Sequence, residues 1–445
     1  MVSCRVVSVP SRAREPLAVA RSWNGTLTFY QTAGGTAAAY HRRRAHDRSG
    51  TRGATTGGGM LTTIAIEGYR SIRRLVMPLT QMTVITGANG SGKSSLYRAL
   101  RLIAETAHDG VVRAIATEGG LASSRWAGPE TISRGMRARE VKIQGLVREH
   151  AHALKLGFAG DDLGYAVDFG QPVAGGTFGE DPEIKAEAIW HGPVYRRSAA
   201  YAERTHDHVR IRRDDDWHVS EHHPEPWSSI LSEMADAVTA PEVLVLRRTL
   251  RAWRFYDQLR TDPDAPARHP AVGTRTPVLA SDGHDLAAAI ATIRDMSGSE
   301  ALDAAIDHAF PGSTVAIDGD LGRWKVVMHQ RGLLRPLEAG ELSDGTLRYL
   351  LLVAALLNPR PASLLVLNEP ETSLHPQLVD ALASLIVAAS ARSQIIVVSH
   401  SAALVAALSA AGGLRHELVR DTSETMIAGQ SLVQRPTWHW PMRAR

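Results

Sequence analysis

The eight-residue run Gly87-Ala88-Asn89-Gly90-Ser91-Gly92-Lys93-Ser94 constrains this chain more than any other feature, because it fits G-x-x-x-x-G-K-[ST] at every fixed position. A short apolar, β-prone stretch, residues 82–87, precedes it, and residues 95–103 follow with helical spacing of apolar side chains. Strand, glycine-rich turn and helix in this order aim backbone N–H groups and a helix N-terminus at a bound anion. Lys93 is the residue type that reaches terminal phosphates, and Ser94 is the hydroxyl that ligates Mg²⁺. Gly87, Asn89, Gly90, Gly92 and Ser95 complete the expected cradle. Nucleotide binding is the expected chemistry.

The rest of the composition narrows the class. At 445 residues the length suggests two or three structural units, and 44% hydrophobic with 22% charged residues excludes disordered, collagen-like and fibrous chains. The longest apolar run, Tyr349 to Leu357, is about half of what a bilayer-spanning helix requires, and no export signal is visible. A single cysteine, Cys4, excludes an internal disulfide framework and a cysteine-rich zinc site, so a cytoplasmic home is expected, with no membrane partner.

The net charge of +4 invites a nucleic-acid reading until it is located. Residues 1–59 hold nine Arg against Glu15 and Asp47, a net of +7, which leaves −3 for residues 60–445. Basicity therefore gives no independent support for a phosphate-backbone footprint on the body of the protein. Residues 33–59 are rich in Gly, Ala, Thr and Arg and show neither period 2 nor period 3.6. The reading for 1–59 is a disordered basic extension or a mis-assigned gene start, because the strand-like texture begins abruptly at Met60.

Downstream, the apolar run Ser363-Leu364-Leu365-Val366-Leu367 ends in Asn368-Glu369-Pro370-Glu371. A carboxylate at such a strand end polarises water or holds Mg²⁺ in P-loop enzymes. Before it, Leu342-Ser343-Asp344-Gly345-Thr346 leads into a helical run, with Ser343 or Asp344 as N-cap. After it come Ser373-Leu374-His375-Pro376, a helix through about Ser390, and the β-rich run 395–398 followed by Ser399-His400-Ser401.

In this order the motifs resemble the ATP-binding-cassette superfamily, in particular RecF/SMC-like ATPase heads and related bacterial ATPases. Residues 342–345 resemble the signature motif, 364–369 Walker B, 373–376 the D-loop, and His400 the switch histidine. The resemblance implies ATP and Mg²⁺ as cofactors, with Ser94 and Asn368 near the metal. Glu369 would act as general base or water-positioning residue and His400 as γ-phosphate sensor. Ser343 and Gly345 would complete the site of a second head, so that ATP clamps two heads into a homodimer. Arg70 or Arg73, after the strand-like start 61–67, would approach the nucleotide. The implied fold is α/β, a P-loop NTPase head with a mixed α/β and helical insertion between Walker A and the signature motif. Residues 60–170 and 336–445 would form its core, and 171–335 a largely helical insertion.

Two departures stand out. The family carries Asp where this chain has Asn368, and an amide accepts a hydrogen bond but brings no charge to balance Mg²⁺. Slow hydrolysis, or a task shared by Glu369 and Glu371, would follow. The Q-loop glutamine has no assigned residue: Gln144 and Gln171 are possible by order, while residues 117–128, with Trp126, occupy the expected place.

Between the two motif groups, prolines at 224, 226, 241, 263, 266, 270, 277 and 311 exclude a long coiled coil. Strands are expected near 153–158 and 165–169, and helices near 242–259 and 285–295. His206, His208, His218, His222 and His223 cluster without a converging further ligand, and read as solvated loop residues. Trp438 and Trp440 are expected to pack on the head. DNA enters only through the RecF resemblance, which implies repair, recombination or maintenance. The alternatives are the ATPase component of a phage-defence or toxin-type system and a slowly hydrolysing ATP-binding switch. An OLD-type nuclease is disfavoured, because the 45 residues after His400 are too few for a Toprim domain.

Overall fold

The computed structural model describes residues 18–21, 27–30, 59–129, 153–172, 178–179, 181–214, 216–257, 259–431 and 433–441. The chain divides into two units, Met1–Ala54 and Thr55–Arg445. In the first, β1 (Ala18–Arg21) pairs antiparallel with β2 (Leu27–Tyr30). These eight residues are strand where an irregular extension was expected, consistent with the β-prone run Leu27-Thr28-Phe29-Tyr30. Cys4 and residues 33–58, on which the question of the gene start turns, lie outside the described residues.

In the second unit β3 (Leu61–Tyr69), β4 (Ile72–Pro78) and β5 (Met82–Gly87) lead into α1 (Lys93–Glu105), α2 (Val111–Thr117) and α3 (Gly120–Ser124). Six strands follow: β6 (Leu154–Gly160), β7 (Leu163–Gly170), β8 (Glu183–His191), β9 (Ala200–Thr205), β10 (His208–Arg213) and β11 (Asp216–Val219). The chain continues through α4 (Ile230–Glu233), α5 (Pro241–Arg251), β12 (Arg254–Tyr256), β13 (Ala271–Val272), α6 (Leu286–Ser297) and α7 (Glu300–Ala309). Next are β14 (Thr314–Asp320), β15 (Arg323–His329), β16 (Leu337–Glu338) and α8 (Asp344–Leu356). The last elements are β17 (Leu364–Asn368), α9 (Val379–Ser390), β18 (Gln394–Val398), α10 (Ala402–Ala410), β19 (Leu414–Asp421) and β20 (Glu424–Ile427).

A six-stranded sheet, ordered β12-β17-β18-β5-β19-β20, is parallel except for β20. Its central strands are apolar on both faces, as a parallel sheet covered on both sides requires. Period-2 alternation divides them between two cores: Ile85, Leu364, Val366, Ile396 and Val398 face one, and Val84, Leu365, Leu367, Ile395 and Val397 the other. The first core holds α1 and the second holds α8 and α9. An antiparallel eight-stranded sheet, β11-β10-β9-β8-β7-β6-β3-β4, shares the first core. On its other face Ala65, Ala159, Ala166 and Ala188 leave room for Trp190 and Trp438, whose rings meet edge to face at 5.7 Å. Trp440 donates Nε1 to Glu67 at 2.8 Å, so both C-terminal tryptophans pack on the head as expected.

Residues 171–335 contain more strand than the helical reading expected. Strands β8 to β11 extend the antiparallel sheet, β12 joins β17 at the edge of the parallel sheet, and β13 to β15 form a four-stranded sheet with β16. The helix expected over 242–259 stops at Arg251, because Phe255 and Tyr256 belong to β12, opposite Val366 and Leu367. Within β8 and β9, Glu187 and Arg204 have fully buried side chains and pair at 3.2 Å. Tyr165 (2.6 Å), Ser229 (2.5 Å) and the Ile230 amide (3.0 Å) also donate to Glu187, so its carboxylate is well satisfied. Burial first, and then Glu187, push the Tyr165 hydroxyl well above its ordinary value. Among the described residues, no helix is long and apolar enough to cross a membrane.

Candidate nucleotide site

The parallel register assembles the site. Asn368 lies opposite Val398, Val398 opposite Ile85, and Leu418 opposite Gly87. The loops after β5, β17 and β18 therefore emerge together at the carboxyl edge of the sheet, where open α/β sheets bind ligands. Gly87, Asn89, Gly90, Gly92, Lys93, Ser94 and Ser95 form the turn from β5 into α1. A cleft of about 580 Å³ lies over it, lined by Asn89, Gly90, Gly92, Lys93, Ser94 and Ser95 together with Glu369. Gly92 caps α1 at φ 108°, and a Cβ there would lie 2.2 Å from Thr425 Oγ1, so no other residue fits. Lys93 is nearly buried and donates to the carbonyls of Gly87 (2.6 Å) and Ala88 (3.1 Å).

Glu369 lies just beyond β17 at φ 50°, its amide donating to Val398 O at 2.7 Å. His400 Nδ1 lies 3.3 Å from Glu369 Oε1. Glu371 contacts the turn after β18. Its Oε1 accepts from Ser399 Oγ (2.6 Å) and from the amides of His400 and Ser401 (3.1 Å each), which fixes the turn that carries His400. Asn368 Oδ1 is buried with no hydrogen-bond partner, and Ser94 is exposed on the cleft. Oxygen donors of this kind fit a hard cation such as Mg²⁺ or its bound water.

Ser343, like Gly87, Asn368 and His400, is not among the residues lining the cleft. Ser343 caps α8, its Oγ accepting from the Thr346 amide at 3.2 Å, which resolves the choice between Ser343 and Asp344 as N-cap. Gly345 lies against residues 373–375, where a Cβ would stand 2.8 Å from Ser373 O. Arg268, its side chain 8% exposed, donates to the carbonyls of Ala339, Gly340 and Leu342 and to Asp344 Oδ1 at 2.7 Å. It also binds Thr261 O, so one guanidinium ties the loop before α8 to the segment near Thr261. Further along α8, Arg348 reaches Glu369 O at 3.3 Å, and burial holds its guanidinium below the ordinary value against the pull of Glu371.

Of the two candidate arginines, Arg70 lines the cleft and Arg73 does not. Arg70 sits at φ 49° and pairs with Glu118 at 2.9 Å. The segment 124–127 pairs with this turn through Arg70 N to Ser124 O (2.9 Å) and Ala127 N to Arg70 O (3.0 Å). That brings Ser123, Ala127 and Gly128 to the cleft, in the stretch where a Q-loop was expected. Gln171 is exposed and away from the cleft lining, and Gln144 lies outside the described residues. Sequence reasoning missed Ser71, Arg420 and Ser423. The last two flank the β19–β20 turn, which β19 brings in by pairing with β5, and no local motif marks them.

Residues 60–141 match a family model described as "AAA ATPase domain", and residues 197–406 match one described as "AAA domain, putative AbiEii toxin, Type IV TA system". No curated protein matches the chain by sequence. Solved structures with a similar fold include an SMC head bound to the C-terminal winged-helix domain of ScpA, at 14% identity and TM-score 0.45, covering 84% of this chain and 99% of that one. Another is the SMC head domain from Thermotoga maritima, at 13% identity and TM-score 0.42, covering 84% and 100%. A third is the Smc head with an extended coiled coil, bound to the C-terminal domain of ScpA derived from Pyrococcus furiosus, at 13% identity and TM-score 0.45, covering 85% and 98%. A glycine-rich turn between strand and helix at the carboxyl edge of a parallel sheet is a P-loop fold, and the chain is similar to AAA-type ATPase domains over residues 60–141 and 197–406.

Proposed function

We propose that the chain binds and hydrolyses ATP with Mg²⁺ and that two heads close on ATP as a homodimer. The observation that carries this reading is that Glu369, which His400 Nδ1 approaches to 3.3 Å, lines the same cleft as Lys93 and Ser94. Lys93, the loop amides and the N-terminus of α1 hold the phosphates, and Ser94 with Asn368 serves the metal. Glu369 orients or deprotonates the attacking water and His400 senses the γ-phosphate. Ser343 and Gly345 act on the partner's nucleotide, a role supported by an exposed Ser343 held on a fixed loop beyond the cleft of its own head. Asn368 in place of an acid makes slow turnover part of this reading. A cytoplasmic site of action is also part of it, supported by the lone Cys4.

For the pathway we infer DNA repair, recombination or maintenance, on the resemblance to RecF-like heads. The match of 197–406 to the AbiEii-type model favours a second reading, an ATPase component of a toxin or phage-defence system. Sizing of the full-length Glu369→Gln protein with and without ATP and Mg²⁺ tests dimerisation. An ATP-dependent shift from monomer to dimer supports the reading, and an unchanged mass overturns it. Adding linear double-stranded DNA to a turnover assay separates the pathways: stimulation favours maintenance, and indifference favours the toxin-type reading.

A further inference from the structure

The histidines near residues 206–223 have no part in the nucleotide chemistry. The hairpin register brings some of them together. Strand β10 runs away from the turn at His206 and Asp207, and β11 returns along it with Val219 opposite Arg210. The Ser220 amide then donates to Val209 O at 2.8 Å, so the chain after β11 passes beside the β9–β10 turn. His208 Nε2 lies 3.7 Å from Asp207 Oδ1, and His223 Nδ1 lies 3.9 Å from Asp207 Oδ2. One ligand atom from each of the three residues falls within 4.8 Å of the others, and the two imidazole rings stand 5.6 Å apart. Asp207 is thus the converging ligand that the sequence did not reveal.

We propose that Asp207, His208 and His223 bind a divalent transition-metal ion of the zinc class. Two imidazoles and one carboxylate are a donor set that suits zinc and is poorly suited to Mg²⁺ or Ca²⁺. Bonds of about 2.0–2.2 Å to a tetrahedral ion place ligand atoms roughly 3.3–3.5 Å apart, so the cluster closes by small side-chain rotations. All three side chains are exposed and turn without unpacking a core, and a fourth position stays open to water. Binding through His223 Nδ1 replaces its 3.2 Å contact with Asp207 O. The neighbouring histidines are placed elsewhere: His222 pairs with Glu233 at 2.8 Å, and His218 lies opposite Ile211 in the β10–β11 ladder. The bound ion would pin the β9–β10 turn to the segment after β11.

The test uses full-length protein stripped with a chelator, titrated with zinc by calorimetry and followed by thermal melting. One saturable zinc per chain is expected, with a rise in Tm. Asp207→Asn, His208→Ala and His223→Ala should each weaken binding at least tenfold and remove the rise, while His218→Ala and His222→Ala keep both. Equal metal-free melting of all variants excludes misfolding as the cause of a loss. Absence of saturable binding by the unmodified protein, or its survival in a His208→Ala, His223→Ala double variant, would overturn the proposal.

Discussion

His400 Nδ1 lies 3.3 Å from Glu369 Oε1, and the two residues follow adjacent parallel strands whose ends are in register. Glu371 fixes the turn that carries His400, and Arg348 reaches the carbonyl of Glu369 from the helix that Ser343 caps. Arg348 thus links α8 to the backbone of Glu369, and Glu371 links the residues after β17 to the turn at His400.

Lys93→Ala removes the cation of the phosphate cradle. We expect ATP affinity to fall at least 100-fold, about 2.8 kcal/mol, in a fluorescent-nucleotide titration. Unchanged affinity would show that the cradle is not the nucleotide site.

Ser343→Arg places a bulky charge at the exposed N-cap of α8, outside the cleft lining. ATP affinity should stay within about twofold, since the cradle is untouched. Dimerisation with ATP, measured by light scattering in the Glu369→Gln background, should be lost. Normal dimerisation would contradict completion of the site in trans.

Arg268 ties the loop before α8 down through three carbonyls and Asp344. Arg268→Lys keeps the charge but cannot reproduce the fork, so it should behave like Arg268→Ala. Both should weaken ATP-driven dimerisation about tenfold with ATP binding to the single head unchanged. Rescue by lysine would show that charge alone suffices.

Glu187→Ala leaves Arg204 charged and buried without its carboxylate partner. Denaturant melts should show a loss of about 3–5 kcal/mol, the usual cost of breaking a buried ion pair on one side. A loss under about 1 kcal/mol would mean that the Pro224, Glu225 and Ser228 carbonyls already satisfy Arg204.

The motif-bearing elements were legible because their signals are local. The turn from β5 to α1, the strand ending at Glu369 and the capped helix after Ser343 each combine a short periodic run with a marker at its end. What escaped was long-range. Arg420 and Ser423 reach the cleft only through the pairing of β19 with β5, and Asp207 meets His223 only through the β10–β11 register. The interval 171–335 was read as more helical than it is, because proline positions argue against a coiled coil without arguing for a sheet. Strands β8 and β9 owe their place to neighbours on both sides and to the buried pair Glu187 and Arg204, which single-sequence periodicity does not show.

The most direct test of the central claim is steady-state phosphate release from ATP by the full-length protein and by Glu369→Gln. The account predicts Mg²⁺-dependent turnover that falls at least 100-fold in the variant while ATP is still bound. Turnover that persists in Glu369→Gln, or none in the unmodified protein under conditions where it binds ATP, would contradict the assignment of Glu369 as the catalytic carboxylate of an active ATPase.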